Sequence, residues 1–487
     1  MEKLNNLEPK VVWEYFEQIC QVPRPSKKEE KIINFLMDFA KDNNLEVDKD
    51  KSGNLLIKKP ATPSKENLKT VVLQSHIDMV GEANKDTDHN FDTDPIKPYI
   101  DGDWVKAEGT TLGADDGIGM AAQMAILTSD QITHGPVECL FTVDEETGLT
   151  GAFALESGFF NGKILLNLDS EDEGELFIGC AGGIDTTARL NFDKEQPPSD
   201  HKAYRLFVTG LNGGHSGDEI DKGLGNSLKI ADRFLWNIND KYETNLASFE
   251  GGRARNAIPR EAEVVFTVQE EDTDQLEEFF KTFRDNIKDE LKVTEPGLEI
   301  TLEEAEKPKY VIDEDSYYDL INALYGCPHG VHAWSQEIEG LVETSTNLAS
   351  IKMEDDERFF ITTSQRSSVD SAKDDIASMV ESVFRLAGAK VDHSAGYPGW
   401  QPNTDSEIMK ITRDAYKRLF NTDPEVKAIH AGLECGLFLQ KYPYLDMISF
   451  GPTIKGAHTP EERISIETTQ KFWDLLIAVI QNIPEDK

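Results

Sequence analysis

Positive charge is scarce in this chain. Its 487 residues carry 50 Lys and Arg against 90 Asp and Glu, a formal net charge of 50 − 90 = −40. Nucleic acids and anionic membrane surfaces are recognised through a positive footprint, so neither is expected as a partner. Long apolar runs are missing too. Stretches such as Leu475–Ile480 fall far short of the roughly 20 residues that cross a bilayer. The opening MEKLNNLEPKVVWEYF lacks the apolar centre of a secretory leader. The cysteines are few and scattered (Cys20, Cys139, Cys180, Cys327, Cys435), with no CxxC pair. Such a set reads as reduced core thiols and a cytoplasmic protein. No GxSxG elbow occurs, which speaks against a Ser-His-Asp hydrolase of that type.

Apolar residues make up 38%, and the 35 glycines bring the broad apolar class to about 45%, near the globular norm. The length suggests two or three domains at about 150 residues each. Helical periodicity marks Val11–Val22 and Glu29–Asn44, and compact β-rich runs mark Leu55–Lys58, Thr70–Gln74, Val137–Val143 and Ile164–Leu168. With the helical stretch Gly117–Thr128 between them, they predict an α/β layer with a mixed, largely parallel sheet flanked by helices. From about residue 187 the pattern becomes α+β. Strands Tyr204–Thr209, Ala262–Gln269 and Phe359–Gln365 alternate with helices Asn226–Asn239, Thr273–Glu290 and Ala372–Leu386. This strand–helix pattern occurs about twice, so residues 187–394 are expected to form an inserted domain. Residues 1–186 and 395–487 then form one discontinuous domain.

The chemistry gathers at the strand ends, where ligands bind in open α/β sheets. The runs lead into Ser75-His76-Ile77-Asp78, Asp144-Glu145-Glu146-Thr147-Gly148 and Asn167-Leu168-Asp169-Ser170, and Leu112-Gly113-Ala114-Asp115-Asp116-Gly117 precedes the helix. Alone, each has an ordinary reading: an acidic turn, a helix cap, a chance HxD. Together at one sheet edge they would repel one another unless cations compensate. Imidazole with carboxylate suits zinc. If His76 and Asp169 hold one ion, Glu146 and a distant histidine the other, and Asp115 bridges, then +4 meets −3. One hydroxide completes neutrality, which fits a centre that prepares a hydroxide nucleophile. Glu145 is left as an unmetallated general base, and Asp78 is placed to orient the His76 ring.

These residues resemble a known family. SHIDMV (75–80), LGADDG (112–117), DEETG (144–148) and NLDSED (167–172) are similar to the di-zinc metallopeptidases that include aminoacylases, carboxypeptidases and dipeptidases. IGCAGG (178–183), GLNGGHSGDEI (210–220), GGRARNAIPR (251–260), SQRSS (364–368), HAGLECG (430–436) and GPTIKGAHTPEER (451–463) extend the resemblance over essentially the whole chain, nearest to the dipeptidase branch. It implies a zinc-exopeptidase-like catalytic domain carrying an inserted lid, and two Zn²⁺ per chain, with Co²⁺ or Mn²⁺ as possible substitutes. It makes His76, Asp115, Glu146, Asp169 and His458 the ligands, with Asp115 bridging through a peptide bond to Asp116 that is typically cis in the family. Glu145 is the implied base and Asp78 the orienting residue. His215 is the implied oxyanion stabiliser. Asn256 and Arg366 correspond to substrate-binding positions, a guanidinium fork suiting a free carboxylate. Glu434 is a candidate partner for the substrate's amino group. The implied reaction is hydrolysis of dipeptides with a free amino terminus, the doubled lid capping the site from within one chain. An aminoacylase or carboxypeptidase on the same metals is the alternative, and a metal-free scaffold a more distant one. The chain is expected as monomer or homodimer. His89, His134, His201, His329, His332 and His393 are expected to be structural or solvent-exposed, and His430 is left unassigned.

Overall fold

The computed structural model describes residues 4–486. The chain divides into two compact units. One comprises residues 1–179, 402–428 and 433–487, and the other residues 180–401 and 429–432. The expected limits at 186/187 and 394/395 lie inside the second unit. The strand Gly182–Asn191 pairs along its whole length with Arg358–Ser367, so residues 182–186 belong to that unit's sheet.

The first unit is built on an eight-stranded sheet. Its strand order is Glu46–Lys49, Leu55–Lys59, Val137–Thr142, Val71–His76, Ile164–Asn167, Asp446–Ser449, Glu175–Cys180, Glu425–Ile429. The parallel pairs lie at the centre and join Val137–Thr142, Val71–His76, Ile164–Asn167 and Asp446–Ser449. Glu46–Lys49 and Leu55–Lys59 add antiparallel on one side, and Glu175–Cys180 on the other. Every residue of Val71–His76, Val137–Thr142 and Ile164–Asn167 is buried, as expected for parallel strands covered on both faces. The helix Lys10–Cys20 buries Val12, Trp13, Phe16 and Ile19 and packs on Ala114–Thr128, itself apolar nearly all round. A small sheet of Pro98–Asp101, Trp104–Ala107, Arg463–Ser465 and Ile454–Lys455 stands beside it. Its strands Ile454–Lys455 and Arg463–Ser465 pair antiparallel, and the loop between them carries His458.

The second unit is an antiparallel sheet in two halves, each carrying two helices. Strands Glu299–Ala305, His201–Thr209, Ala262–Gln269 and Thr244–Gly251 go with helices Ser227–Asn239 and Thr273–Leu291. Strands Val342–Glu354, Arg358–Ser367, Gly182–Asn191 and Lys390–His393 go with helices Glu314–Gly326 and Asp370–Leu386. The halves join through the Gly251–Ile351 pair. The next residue, Gly252, has φ +70°, and a Cβ there would lie 1.9 Å from the Ala349 carbonyl oxygen. Only glycine fits that approach. All five cysteines are buried and unbridged, and among the described residues no helix is long and apolar enough to cross a membrane.

Candidate metal centre

The first unit brings five segments that carry candidate ligands to one place. The strand Val71–His76 ends on His76, which is almost wholly buried. Its Nε2 lies 3.0 Å from Asp115 Oδ1 and 3.6 Å from Asp169 Oδ1, and its Nδ1 lies 3.4 Å from Asp78 Oδ1. Asp115 enters where the helix Ala114–Thr128 begins, with non-helical backbone at Asp115 and Asp116 and a cis bond between them. Its second oxygen, Oδ2, lies 3.2 Å from His458 Nε2, and that nitrogen is 2.9 Å from Glu146 Oε2. Asp115 therefore stands between two histidines, one oxygen toward each. His458 is held at φ +62° in its loop.

Three overlapping groups have ligand atoms all within 4.8 Å of one another. They are His76, Asp115 and Asp169; Asp115, Glu146 and His458; and His76, Glu145 and Glu146. This brings together all five ligand candidates and the candidate base. Asp78 does more than face His76. Its carboxylate also accepts the backbone N–H of Glu145 at 3.0 Å and of Glu146 at 3.3 Å, and the Ser26 hydroxyl at 2.7 Å. One side chain thus fixes both an imidazole and the turn that carries the base.

The electrostatics are those of a centre short of positive charge. Burial pushes the Asp169 carboxyl up to about 7 and Glu145 well above the carboxylate range. Hydrogen bonds to Asp115 and Glu146 push the His458 imidazole up to about 11. Burial disfavours the charged His76 ring. Asp169, with hydrogen bonds to Asp115, Asp169 and Asp78, still holds its pKa well above the ordinary range. Burial also opposes the Asp115 carboxylate, but hydrogen bonds from His458 and His76 keep it ionised. Glu146 Oε1 is buried without a partner. Divalent cations would satisfy that oxygen and relieve the crowded carboxylates together. The donor set of imidazole and carboxylate fits them.

Glu434 is fully buried beneath these strand ends. Its Oε2 accepts from Gln74 Nε2 at 2.6 Å and from Thr142 Oγ1 at 2.8 Å, and Gln74 Oε1 accepts from Asn167 at 2.6 Å. Burial pushes its carboxyl up to about 8, and Oε1 has no partner.

The second unit gathers the remaining candidates. His215 lies on the short strand Gly214–His215 and pairs with Ala257, the neighbour of Asn256. The Asn256 carbonyl accepts from Ser216 N at 2.9 Å. His215 Nδ1 faces Asp218 twice, 3.2 Å from its backbone N and 3.1 Å from its Oδ2. Arg366 is buried, its Nε without a partner and its Nη1 donating to Tyr397 Oη at 3.3 Å. His430 joins this group. Its Nε2 is 2.7 Å from Ser345 Oγ, and burial, with Arg366 next, pushes it down to about 3. His430 was legible only as part of the HAGLECG run. Glu462 and Arg24, which touch the Asp115 segment through backbone groups, were not singled out at all. The GPTIKGAHTPEER run holding both His458 and Glu462 was the one available signal.

A histidine–carboxylate cluster at the carboxyl ends of parallel strands is the layout of a metallohydrolase. The chain belongs to peptidase family M20/M25/M40, whose model matches residues 72–482. It is 45% identical over 484 residues to the cytosol non-specific dipeptidase of Escherichia coli K12, covering 99% of this chain and 100% of that one. The solved aminoacylhistidine dipeptidase of Vibrio alginolyticus aligns over 100% of this chain and 99% of its own, with a TM-score of 0.93 and 46% identity. The aminopeptidase PepT of Bacillus cereus, at 18% identity and TM-score 0.57 over 98% of both chains, shares the fold.

Proposed function

We propose that this chain is a cytoplasmic metal-dependent dipeptidase that hydrolyses dipeptides with a free amino terminus, Xaa-His among them, with zinc as the metal. The observation that carries the reading is Asp115, one oxygen toward His76 and the other toward His458. End-to-end similarity to two proteins named as dipeptidases supports the substrate class.

His76 and Asp169 would hold one cation, Glu146 and His458 the other, and Asp115 both. Two such cations would supply Lewis acidity toward the scissile carbonyl and the attacking water. Asp78 holds the His76 ring in orientation and pins the 145–146 backbone, so the turn that carries Glu145 is fixed before substrate arrives. Glu145 takes a proton from the attacking water and returns it to the leaving amine. His215, oriented by Asp218, is assigned as the donor to the oxyanion. Arg366 and Asn256 are assigned to the substrate's terminal carboxylate, and Glu434 to its amino group. His430, whose Nε2 bonds Ser345 Oγ, feels the Arg366 charge, which with burial keeps its ring neutral.

The test is a substrate panel of Xaa-His and other free dipeptides, an N-acetylated dipeptide and a tripeptide. The expected outcome is turnover of the free dipeptides alone. Cleavage of the N-acetyl compound in their place would favour an acylase and remove Glu434 from the amino-group role.

A further inference from the structure

The ligand segments are tied together by two charged side chains that touch none of the ligand atoms. Glu462 is 2% exposed. Its Oε2 accepts the backbone N–H of Leu112 at 2.7 Å and of Gly113 at 2.9 Å, and its Oε1 those of Ala114 at 2.7 Å and Asp115 at 3.4 Å. Four successive amides converge on one carboxylate. That is an anion nest filled by the protein's own side chain. Gly113 makes the turn possible at φ +70°, and a Cβ there would lie 2.7 Å from Arg24 Nη2 and 2.9 Å from the Met79 sulfur.

Arg24 closes the other side. It is 2% exposed, donates through Nη1 to the carbonyls of Ile77 at 3.0 Å and Asp78 at 2.6 Å, and through Nη2 to the carbonyl of Gly113. Glu462 lies four residues after His458, in a loop closed by Thr459 N to Gly456 O and Glu462 N to Thr459 O. The pair therefore couples three backbones: 77–78 behind His76, 112–115 before the bridging aspartate, and 458–462 with the distal histidine. A side chain used only to stabilise the fold could bond anywhere. This one bonds the four amides that set where Asp115 begins.

We propose that Glu462, with Arg24, is a positioning residue of the dinuclear centre. It fixes Asp115 against His458 so that one carboxylate reaches both cation positions. The proposal rests on the ligand assignment above. Glu462→Gln presents an amide N–H₂ to two of the backbone donors and leaves one oxygen, so the segment loosens while the ligands stay.

The comparison uses Glu138→Gln as control. Glu138 is also a buried carboxylate of the first unit that accepts backbone N–H groups, from Asn161 and Gly162 at 2.8 and 2.9 Å. It lies near the start of its strand, away from the ligands. Zn²⁺ titration of the metal-stripped full-length proteins is read with their circular dichroism and with kcat and KM. The expected result is a folded Glu462→Gln protein that binds at least one cation about tenfold or more weakly, with kcat lowered more than KM is raised, while Glu138→Gln keeps wild-type affinity. Wild-type affinity in Glu462→Gln, or equal loss in Glu138→Gln, would overturn the positioning role. If Glu462→Gln does not fold, Glu462→Asp and Arg24→Lys carry the same comparison. A wild-type chain that binds fewer than two cations would instead remove the ligand assignment itself, and this proposal with it.

Discussion

At the scale of single residues, the protonation of the two ligand histidines decides how the centre behaves without metal. His458 is pushed up to about 11 by its hydrogen bonds to Asp115 and Glu146, so at neutral pH the metal-free ring is cationic. A cation needs the neutral ring, so loading must expel that proton. Zn²⁺ uptake near pH 7 is therefore expected to release protons and to tighten as pH rises. Calorimetry in buffers of different ionisation heat reads both. Uptake without proton release would contradict the His458 geometry. The linkage has a definite sign. A raised histidine pKa stabilises the metal-free fold fully below the unfolded value near 6.5, and that contribution is lost as pH rises through about 11. The candidates His76, Asp115, Glu146 and Asp169 were legible because each follows or precedes an apolar run that places it near a strand or helix end, whereas His458, in the loop between Ile454–Lys455 and Arg463–Ser465, was named only through the family resemblance. What Asp78 and Glu462 do was not legible beyond the ring contact of Asp78. Their partners are backbone N–H groups, which every sequence supplies and no pattern marks.

Elements were legible where they are buried. Val71–His76, Val137–Thr142 and Ile164–Asn167 are apolar enough to announce themselves. Glu46–Lys49, mostly exposed and charged, is not, and it pairs only because Leu55–Lys59 offers it an edge. For the same reason the expectation of a largely parallel sheet holds for the central strands and gives way to antiparallel pairing on both flanks. In the second unit the helix Ser227–Asn239 starts on a strong cap. Asn226 Oδ1 accepts from Leu228 N at 2.9 Å and Lys229 N at 3.2 Å, and its Nδ2 donates to the Leu348 carbonyl at 2.9 Å. That last bond links the two halves of the sheet. Asn226→Ala is expected to cost about 1–2 kcal/mol, read as a lowered denaturation midpoint with metal affinity of the first unit unchanged. A shift within error would mean that the cap and its link to Leu348 contribute little.

For the whole molecule, the two units divide the chemistry. The candidate ligands and Glu145 lie on the first, while the candidates His215, Asn256 and Arg366, with His430, lie on the second. The charge of −40 gives the protein a field that favours cations over polyanions. The expected limits at 186/187 and 394/395 follow the change of pattern from α/β to α+β and fall inside the second unit. Residues 180–186, 395–401 and 429–432 also belong to the second unit; of these, 182–186 begin a strand of its main sheet. The central claim is a dinuclear peptidase acting on free dipeptides. Its most direct test is hydrolysis of one Xaa-His dipeptide by metal-stripped protein as Zn²⁺ is added, with bound metal counted at each point. The account predicts no turnover without metal and full activity at two ions per chain. It also predicts a Glu145→Gln variant that binds both ions yet is slower by about 10²–10⁴-fold. Full activity in the stripped protein, or saturation at two ions with no hydrolysis of any free dipeptide, would contradict it.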